Sequence, residues 1–413
     1  MRTVLHSDLN NFFASVECRM NPSLNEYPVA VCGDPEKRHG IILAKNYKAK
    51  KYGVATGEAL WEAKLKCPDI VFVPPHYEEY MKYSSAVREI YHSYTNLVEP
   101  YGLDECWLDV TGSEKLFGDG KTIADSIRER VKKELGLTVS VGVSYNKIFA
   151  KLGSDMKKPD ATTVIPKDRF REVVWRLPAE ELLYIGPSTK RKLLQYGIKT
   201  IGQLAQTDDS LLSYLFGKNG LMLKAFANGE DSSPVADIEA ENNMKSLSCG
   251  TTAFRDLVCE DDVKIMLMEL SSTVSARLRA QGYFCKTVQL VIRNKDLSTI
   301  VRRKKLSYPT RTSQAIYTAA MELFCANHLF EDPVRSLSVC AADIFKGSGE
   351  QLSFDEEIFT MQRRENLEGA ADGINEKFGK GTVRRGLTML DEKLCGIDIR
   401  NCTEIMPGRM NGI

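Results

Sequence analysis

The order of secondary-structure signals between residues 246 and 344 does most to restrict how this chain can fold. A strand-like run over 246–254 leads into a helical stretch over 262–281, where Met266, Leu270, Val274 and Leu278 recur on one side. Two strands follow at 287–293 and 298–307, then a helix over 313–328 and a last strand over 334–344. The order β-α-β-β-α-β is the split βαβ pattern, a four-stranded antiparallel sheet with both helices on one face. The opposite face is then open to a ligand. Arg302, Arg303, Lys304 and Lys305 stand in the third strand, with Arg293 and Lys295 close by. Consecutive strand residues alternate between faces, so at most half of that run shares one side.

The first 165 residues mix both periodicities as well. Short strands are expected at 3–7, 28–32, 41–44, 70–73, 97–101, 106–110 and 139–143. Between them lie helices after Asp8, over 77–94, along Ile123, Ile127, Val131 and Leu135, and over 147–156. From about 166 to 235 the strand signals vanish, and short helices are joined at Gly186, Gly197, Gly202 and Gly217. A polar, acidic linker reaches to about Asn243. The 413 residues suit two to four domains at about 100–200 residues each. The expected fold class is α/β (α+β), multidomain. Beyond about 347 the chain is polar, with one apolar pair, Leu352 and Phe354, and a charged, weakly helical run over 363–378.

Composition removes several classes. Hydrophobic residues at 43% and charged residues at 27% exclude a disordered chain. No stretch approaches about 18 consecutive apolar residues, so no membrane helix is expected. Asp8 comes too early for a signal peptide. The 11 cysteines are odd in number and scattered, with no CxxC pair, which argues against a disulfide framework and a zinc site and for a reducing cytoplasm. A net charge of +1 confines any nucleic-acid surface to a local patch.

Three acids stand out by position. Asp8 closes the first strand, and Asp104 and Glu105 sit side by side in a strand–turn–strand element. Carboxylates at strand ends among apolar residues are costly to bury unpaired. A hard divalent cation such as Mg²⁺ relieves that cost through oxygen ligands, and two such ions can clamp both oxygens of an in-line phosphoryl displacement. A helix cap at Asp8 and a plain turn at 104–105 would account for the same residues. Basic residues that could meet phosphate come at Lys48, Lys50 and Lys51, beside Tyr47, and at Lys157 and Lys158 before Pro159. The Gly120-Lys121-Thr122 string lacks the glycine and buried strand of a P-loop, so an ATPase is rejected. There is no HExxH and no GxSxG.

Four ordered motifs carry a resemblance. His6-Ser7-Asp8-Leu9-Asn10-Asn11-Phe12-Phe13-Ala14-Ser15-Val16-Glu17 resembles the opening motif of the Y-family, translesion DNA polymerases. Tyr101-Gly102-Leu103-Asp104-Glu105-Cys106-Trp107-Leu108-Asp109 resembles their second catalytic motif. Ser140-Val141-Gly142-Val143-Ser144-Tyr145-Asn146-Lys147 and Asp155-Met156-Lys157-Lys158-Pro159 resemble the third. The match runs in order to about residue 345 and is nearest to the bacterial polymerase IV branch.

The resemblance implies a right-hand polymerase. Its palm would be 1–10 and 77–165, its fingers 11–76, its thumb 166–235, its linker 236–244 and its little finger 245–345, with a tail over 346–413. It implies low-fidelity, template-directed nucleotidyl transfer past damaged bases with two Mg²⁺ ions. Asp8 and Asp104 would bridge the ions, Glu105 would complete the primer-side ion, and the Leu9 carbonyl would join the nucleotide-side ion. Tyr47, Lys50 and Lys158 would hold the triphosphate. Phe13 would be the steric gate under the sugar, with Phe12 as the alternative. Gly186 in the thumb and Arg302, Arg303, Lys304 and Lys305 would meet DNA. Gln351, Leu352 and Phe354 resemble a short sliding-clamp-binding motif. The implied partners are primer-template DNA, deoxynucleoside triphosphates and the bacterial sliding clamp, for a cytoplasmic monomer.

Three positions depart from the family pattern. Lys50 stands where arginine is frequent, keeping the charge and losing the bidentate fork. Asn10 replaces a further acid and is not counted as a ligand. Tyr184-Ile185-Gly186 replaces the thumb's Gly-apolar-Gly. Two other functions compete: a non-catalytic DNA-bound scaffold, disfavoured because all three acids are present, and a nucleotide cyclase, which needs neither thumb nor basic third domain.

Overall fold

The computed structural model describes residues 2–34, 40–237, 244–347, 356–379 and 381–395. They fall into two compact units, one of residues 2–33 and 41–237 and one of residues 34, 40, 244–347, 356–379 and 381–395. No helix among them is long and apolar enough to cross a membrane.

The first unit is organised by strand β1 (Val4–Leu9), whose six residues are all buried. A mixed sheet forms around it from β5 (Val98–Pro100), β6 (Glu105–Asp109), β7 (Val139–Ser144) and β8 (Thr162–Val164), in the order β5-β6-β1-β7-β8. β1 is antiparallel to both neighbours, so Asp8 lies opposite Glu105 on one side and Ser140 on the other. Helices Tyr77–His92 and Gly120–Leu135 cover one face through Val87, Ile90, Tyr91, Ile123, Ile127 and Val131. Helix Lys147–Met156 crosses the other face. A Cβ at Gly142 would meet the Ala150 carbonyl oxygen at 1.9 Å, so backbone packs on backbone there. That helix starts at Asn146, whose side chain accepts from Phe149 N–H and donates to the Gly229 carbonyl.

A smaller sheet of β2 (Val29–Cys32), β3 (Ile42–Lys45) and β4 (Val71–Val73), in the order β3-β2-β4, has its own small core around Ile42, Ala63 and Ile70. The stretch without strand signals is helical, and it shares a core with the outer side of helix Lys147–Met156 through Ile148, Phe149 and Leu152.

The second unit is the expected split βαβ sheet, mixed α/β in class like the first. β9 (Ser246–Leu257), β10 (Tyr283–Asn294), β11 (Thr299–Thr310) and β12 (Val334–Ala342) lie in the order β11-β10-β12-β9, all antiparallel, and the short β13 (Phe345–Lys346) pairs with β10. Helices Glu260–Ala280 and Ser313–Asn327 cover one face. The last strand breaks at Asp343, which takes a left-handed φ of 51° and accepts a hydrogen bond from the Thr287 hydroxyl. The tail differs from the polar appendage its sequence suggests. Helix Glu356–Phe378 packs on helix Glu260–Ala280 through a buried Glu368, which pairs with Arg279 at 2.6 Å and accepts from Ser313 N–H at 2.9 Å. Leu394 and Cys395 join the same core.

Gly142→Ala forces the helix carrying Lys151 and Asp155 off the sheet, because the clash is with backbone and no side chain can yield. Urea unfolding is expected to show a loss of at least about 1–3 kcal/mol.

Candidate active site

The three acids named from sequence meet at one end of the large sheet. Asp8 and Glu105 are cross-strand partners, so their side chains share a face. Asp104 sits in the turn before β6, and its carbonyl accepts from Leu9 N–H at 2.9 Å, tying the turn to the end of β1. Two lysines face the acids. Lys158 Nζ is 2.8 Å from Asp8 Oδ2, and Lys151 Nζ is 2.6 Å from Glu105 Oε2. His6, two residues before Asp8 on the same face, places Nε2 3.3 Å from Glu105 Oε2 and its Nδ1 2.8 Å from the Ser154 hydroxyl. Asn10 is a strut: its amide donates to Ser140 Oγ and its carbonyl oxygen accepts from Asp160 N–H.

Burial governs the charges. It pushes the Asp8 carboxyl up to about 7 despite the pull of Lys158. Burial, reinforced by Glu105, also raises Asp104. For Glu105, burial acts upward but His6 and Lys151 outweigh it, and the carboxyl is held well below its usual range. Burial brings the His6 imidazole down to about 4, so it is neutral. Two buried acids with raised values stand at one end of the sheet, and holding both as carboxylates there is costly without a cation beside them. The donors are hard oxygens, which suits Mg²⁺. Among the described residues, no three Asp, Glu, His or Cys side chains converge closely enough to enclose an ion. The two ammonium groups instead occupy Asp8 and Glu105.

The remaining expected residues divide. Tyr47 opens helix Tyr47–Lys51 behind the Asn46 cap, close enough to Lys158 and Asp8 for their charges to act on its phenol, which burial raises. Lys50 Nζ lies 5.7 Å from the Tyr47 ring. Lys48 turns away to the Glu26 carbonyl. Phe12 is in the core, whereas Phe13 is half-buried at its edge and stacks on Tyr80 at 4.2 Å. Gly186 caps helix Pro187–Gln195, with open space around it. Tyr184 takes the left-handed φ of 71° that the family's glycine would adopt freely. In the second unit the basic run splits by face. Arg302 donates to Asn327 and Lys304 pairs with Glu322, both on helix Ser313–Asn327. Arg303 and Lys305 alternate with them and lie toward the open face, Arg303 reaching Gln289. Gln351, Leu352 and Phe354 lie outside the described residues.

The model of the impB/mucB/samB family matches residues 7–155, and that of the same family's C-terminal domain matches 244–354. The chain is 49% identical to DNA polymerase IV of Acetivibrio thermocellus, over 95% of this chain and 99% of that one. It is 34% identical to DNA polymerase IV 1 of Bacillus subtilis, over 95% and 94%. The chain belongs to the Y-family of DNA polymerases. A Dbh–Dpo4–Dbh chimera of that family shares the fold, with a TM-score of 0.75 at 24% identity over 84% of this chain and 100% of the other.

In this Y-family chain two further side chains, His6 and Lys151, stand against Glu105. His6 was legible, because the two-residue period puts it on the face of Asp8. Lys151 was not, because only the packing of its helix over Gly142 brings it to Glu105.

An aspartate raised from 3.8 to about 7 costs stability as pH climbs through that interval, since ionisation is harder in the fold than in the unfolded chain. Asp8→Asn removes that cost. In cation-free buffer the variant is expected to be more stable than wild type by on the order of 1–2 kcal/mol above about pH 7, with the gap closing near about pH 4. Urea unfolding across that range measures it.

Proposed function

We propose that this chain is a template-directed, low-fidelity DNA polymerase that extends primers past damaged template bases by two-metal nucleotidyl transfer. The observation that carries the reading is the trio Asp8, Asp104 and Glu105 on adjoining strand ends, with Lys158 and Tyr47 beside it. The primer 3′-hydroxyl gives up its proton to solvent and its oxygen attacks the α-phosphorus of a deoxynucleoside triphosphate. A phosphodiester bond forms, the bond to the bridging α–β oxygen breaks, and pyrophosphate leaves. Two Mg²⁺ ions, held by Asp8, Asp104, Glu105 and the Leu9 carbonyl, would supply Lewis-acid stabilisation of the attacking and leaving oxygens.

The chain's own groups do the rest. The Tyr47 hydroxyl donates to the triphosphate, and Lys50 and Lys158 neutralise it. The Phe13 ring lies under C2′ of the sugar and leaves room for hydrogen but not hydroxyl. Tyr80, stacked behind it, keeps the ring from retreating. Residues 77–165 with the first strand form the palm, 11–76 the fingers, 166–235 the thumb and 245–345 the little finger. Gly186 meets a DNA phosphate through backbone N–H, and the open face of the little-finger sheet adds Arg303 and Lys305. The Gln351, Leu352 and Phe354 segment takes a sliding clamp, and the enzyme acts as a cytoplasmic monomer.

Primer extension on damaged and undamaged templates with Mg²⁺ tests the reading. Wild type is expected to extend past lesions, and Asp104→Asn to fall below about a tenth of wild-type turnover with DNA binding retained. Phe13→Ala is expected to admit ribonucleotides and Phe12→Ala to lose stability without admitting them. Unchanged ribonucleotide rejection in Phe13→Ala refutes the gate. For the little finger, the slope of log K against log salt should flatten by about 2 when Arg303 and Lys305 are both neutralised. Neutralising Arg302 and Lys304, which are tied to the helix, should leave it nearly unchanged.

A further inference from the structure

Asp155 sits between the two lysines of the site. Lys158 Nζ is 2.8 Å from Asp155 Oδ1 as well as 2.8 Å from Asp8 Oδ2. Lys151 Nζ is 3.7 Å from Asp155 Oδ2 while it holds Glu105 at 2.6 Å. Lys151 is the more enclosed of the pair, with 13% of its side chain exposed against 38% for Asp155. An ammonium group so enclosed is costly without an acid beside it. Lys151 can therefore leave Glu105 only for another carboxylate. Asp155, one turn further along the same helix, is in reach through Oδ2, but its charge is already shared with Lys158, which holds Oδ1 at 2.8 Å.

Asp8 and Glu105 are thus each paired with one of the protein's own cations. A triphosphate offers Lys158 more negative charge than two carboxylates that it shares. We propose that Lys151 blocks Glu105 in the free enzyme, and that an incoming nucleoside triphosphate, by drawing Lys158 off Asp155, gives Lys151 a second seat and releases Glu105 to the cation. The exchange rests on the reading above that Lys158 meets the triphosphate. It makes the carboxylate set complete only when nucleotide is present. Lys151 and Asp155 are positioning residues, since neither touches the reacting atoms.

Calcium, an oxygen-seeking cation like Mg²⁺, serves as the probe. The intact protein is titrated with Ca²⁺ and the unfolding midpoint is read, with and without a non-hydrolysable deoxynucleoside triphosphate analogue. Without nucleotide, Lys151→Met is expected to half-saturate at about tenfold lower Ca²⁺ than wild type, as loss of one nearby charge implies. Lys151→Arg grips Glu105 through a fork and should need more Ca²⁺ than wild type. Asp155→Asn should match wild type alone but lose most of the gain in Ca²⁺ affinity that nucleotide brings. Equal titrations for wild type and both Lys151 variants overturn the proposal, as does a full nucleotide effect in Asp155→Asn. If Lys151→Met does not fold, the shift in Lys151→Arg decides alone. A wild type that extends primers while these titrations coincide sinks only the exchange. A wild type that binds no nucleotide and extends no primer sinks the polymerase reading with it.

Discussion

Asp8, Asp104 and Glu105 are held where a sheet is covered on both faces, and ionised carboxylates there repel one another through a medium that screens poorly. Much of the first unit answers that repulsion. Helix Lys147–Met156 delivers Lys151, its continuation delivers Lys158, and His6 fills the remaining space as a neutral ring. The helix lies close enough to do so because Gly142 has no side chain to hold it off. The same helix faces the helical layer with Ile148, Phe149 and Leu152, so one element sets both the charge of the site and the seat of residues 166–235. Under the function proposed above, stability and catalysis pull against each other at this point, since a neutral residue in place of Asp8 suits the fold and would remove a metal ligand.

What could be read from sequence was local. Asp8 ends an apolar run, Asp104 and Glu105 sit in a short turn, and the β-α-β-β-α-β order fixes the sheet of the second unit with no further information. The family motifs added roles for Tyr47, Lys158 and Phe13. The hidden features were those made by long-range packing. Lys151 looks like a solvated helix charge until its helix is laid over β7. Arg302 and Arg303 look alike until the helix carrying Asn327 and Glu322 shows which face is taken. Glu368 belongs to an apparently polar tail, yet it finds Arg279 89 residues away and stabilises the start of helix Ser313–Asn327. No periodicity within the tail could announce a partner that distant.

β11 is the outermost strand of its sheet and is 12 residues long, with most of its side chains exposed. A strand of that length at an edge invites another copy of the chain to pair with it, backbone to backbone. Four consecutive cations oppose this, because two such strands brought side by side would set like charges against one another. Their arrangement therefore bears on how crowded the protein can become before it self-associates. A chain whose basic run had been neutralised would have to be judged for aggregation before any loss of nucleic-acid affinity was ascribed to the missing charges.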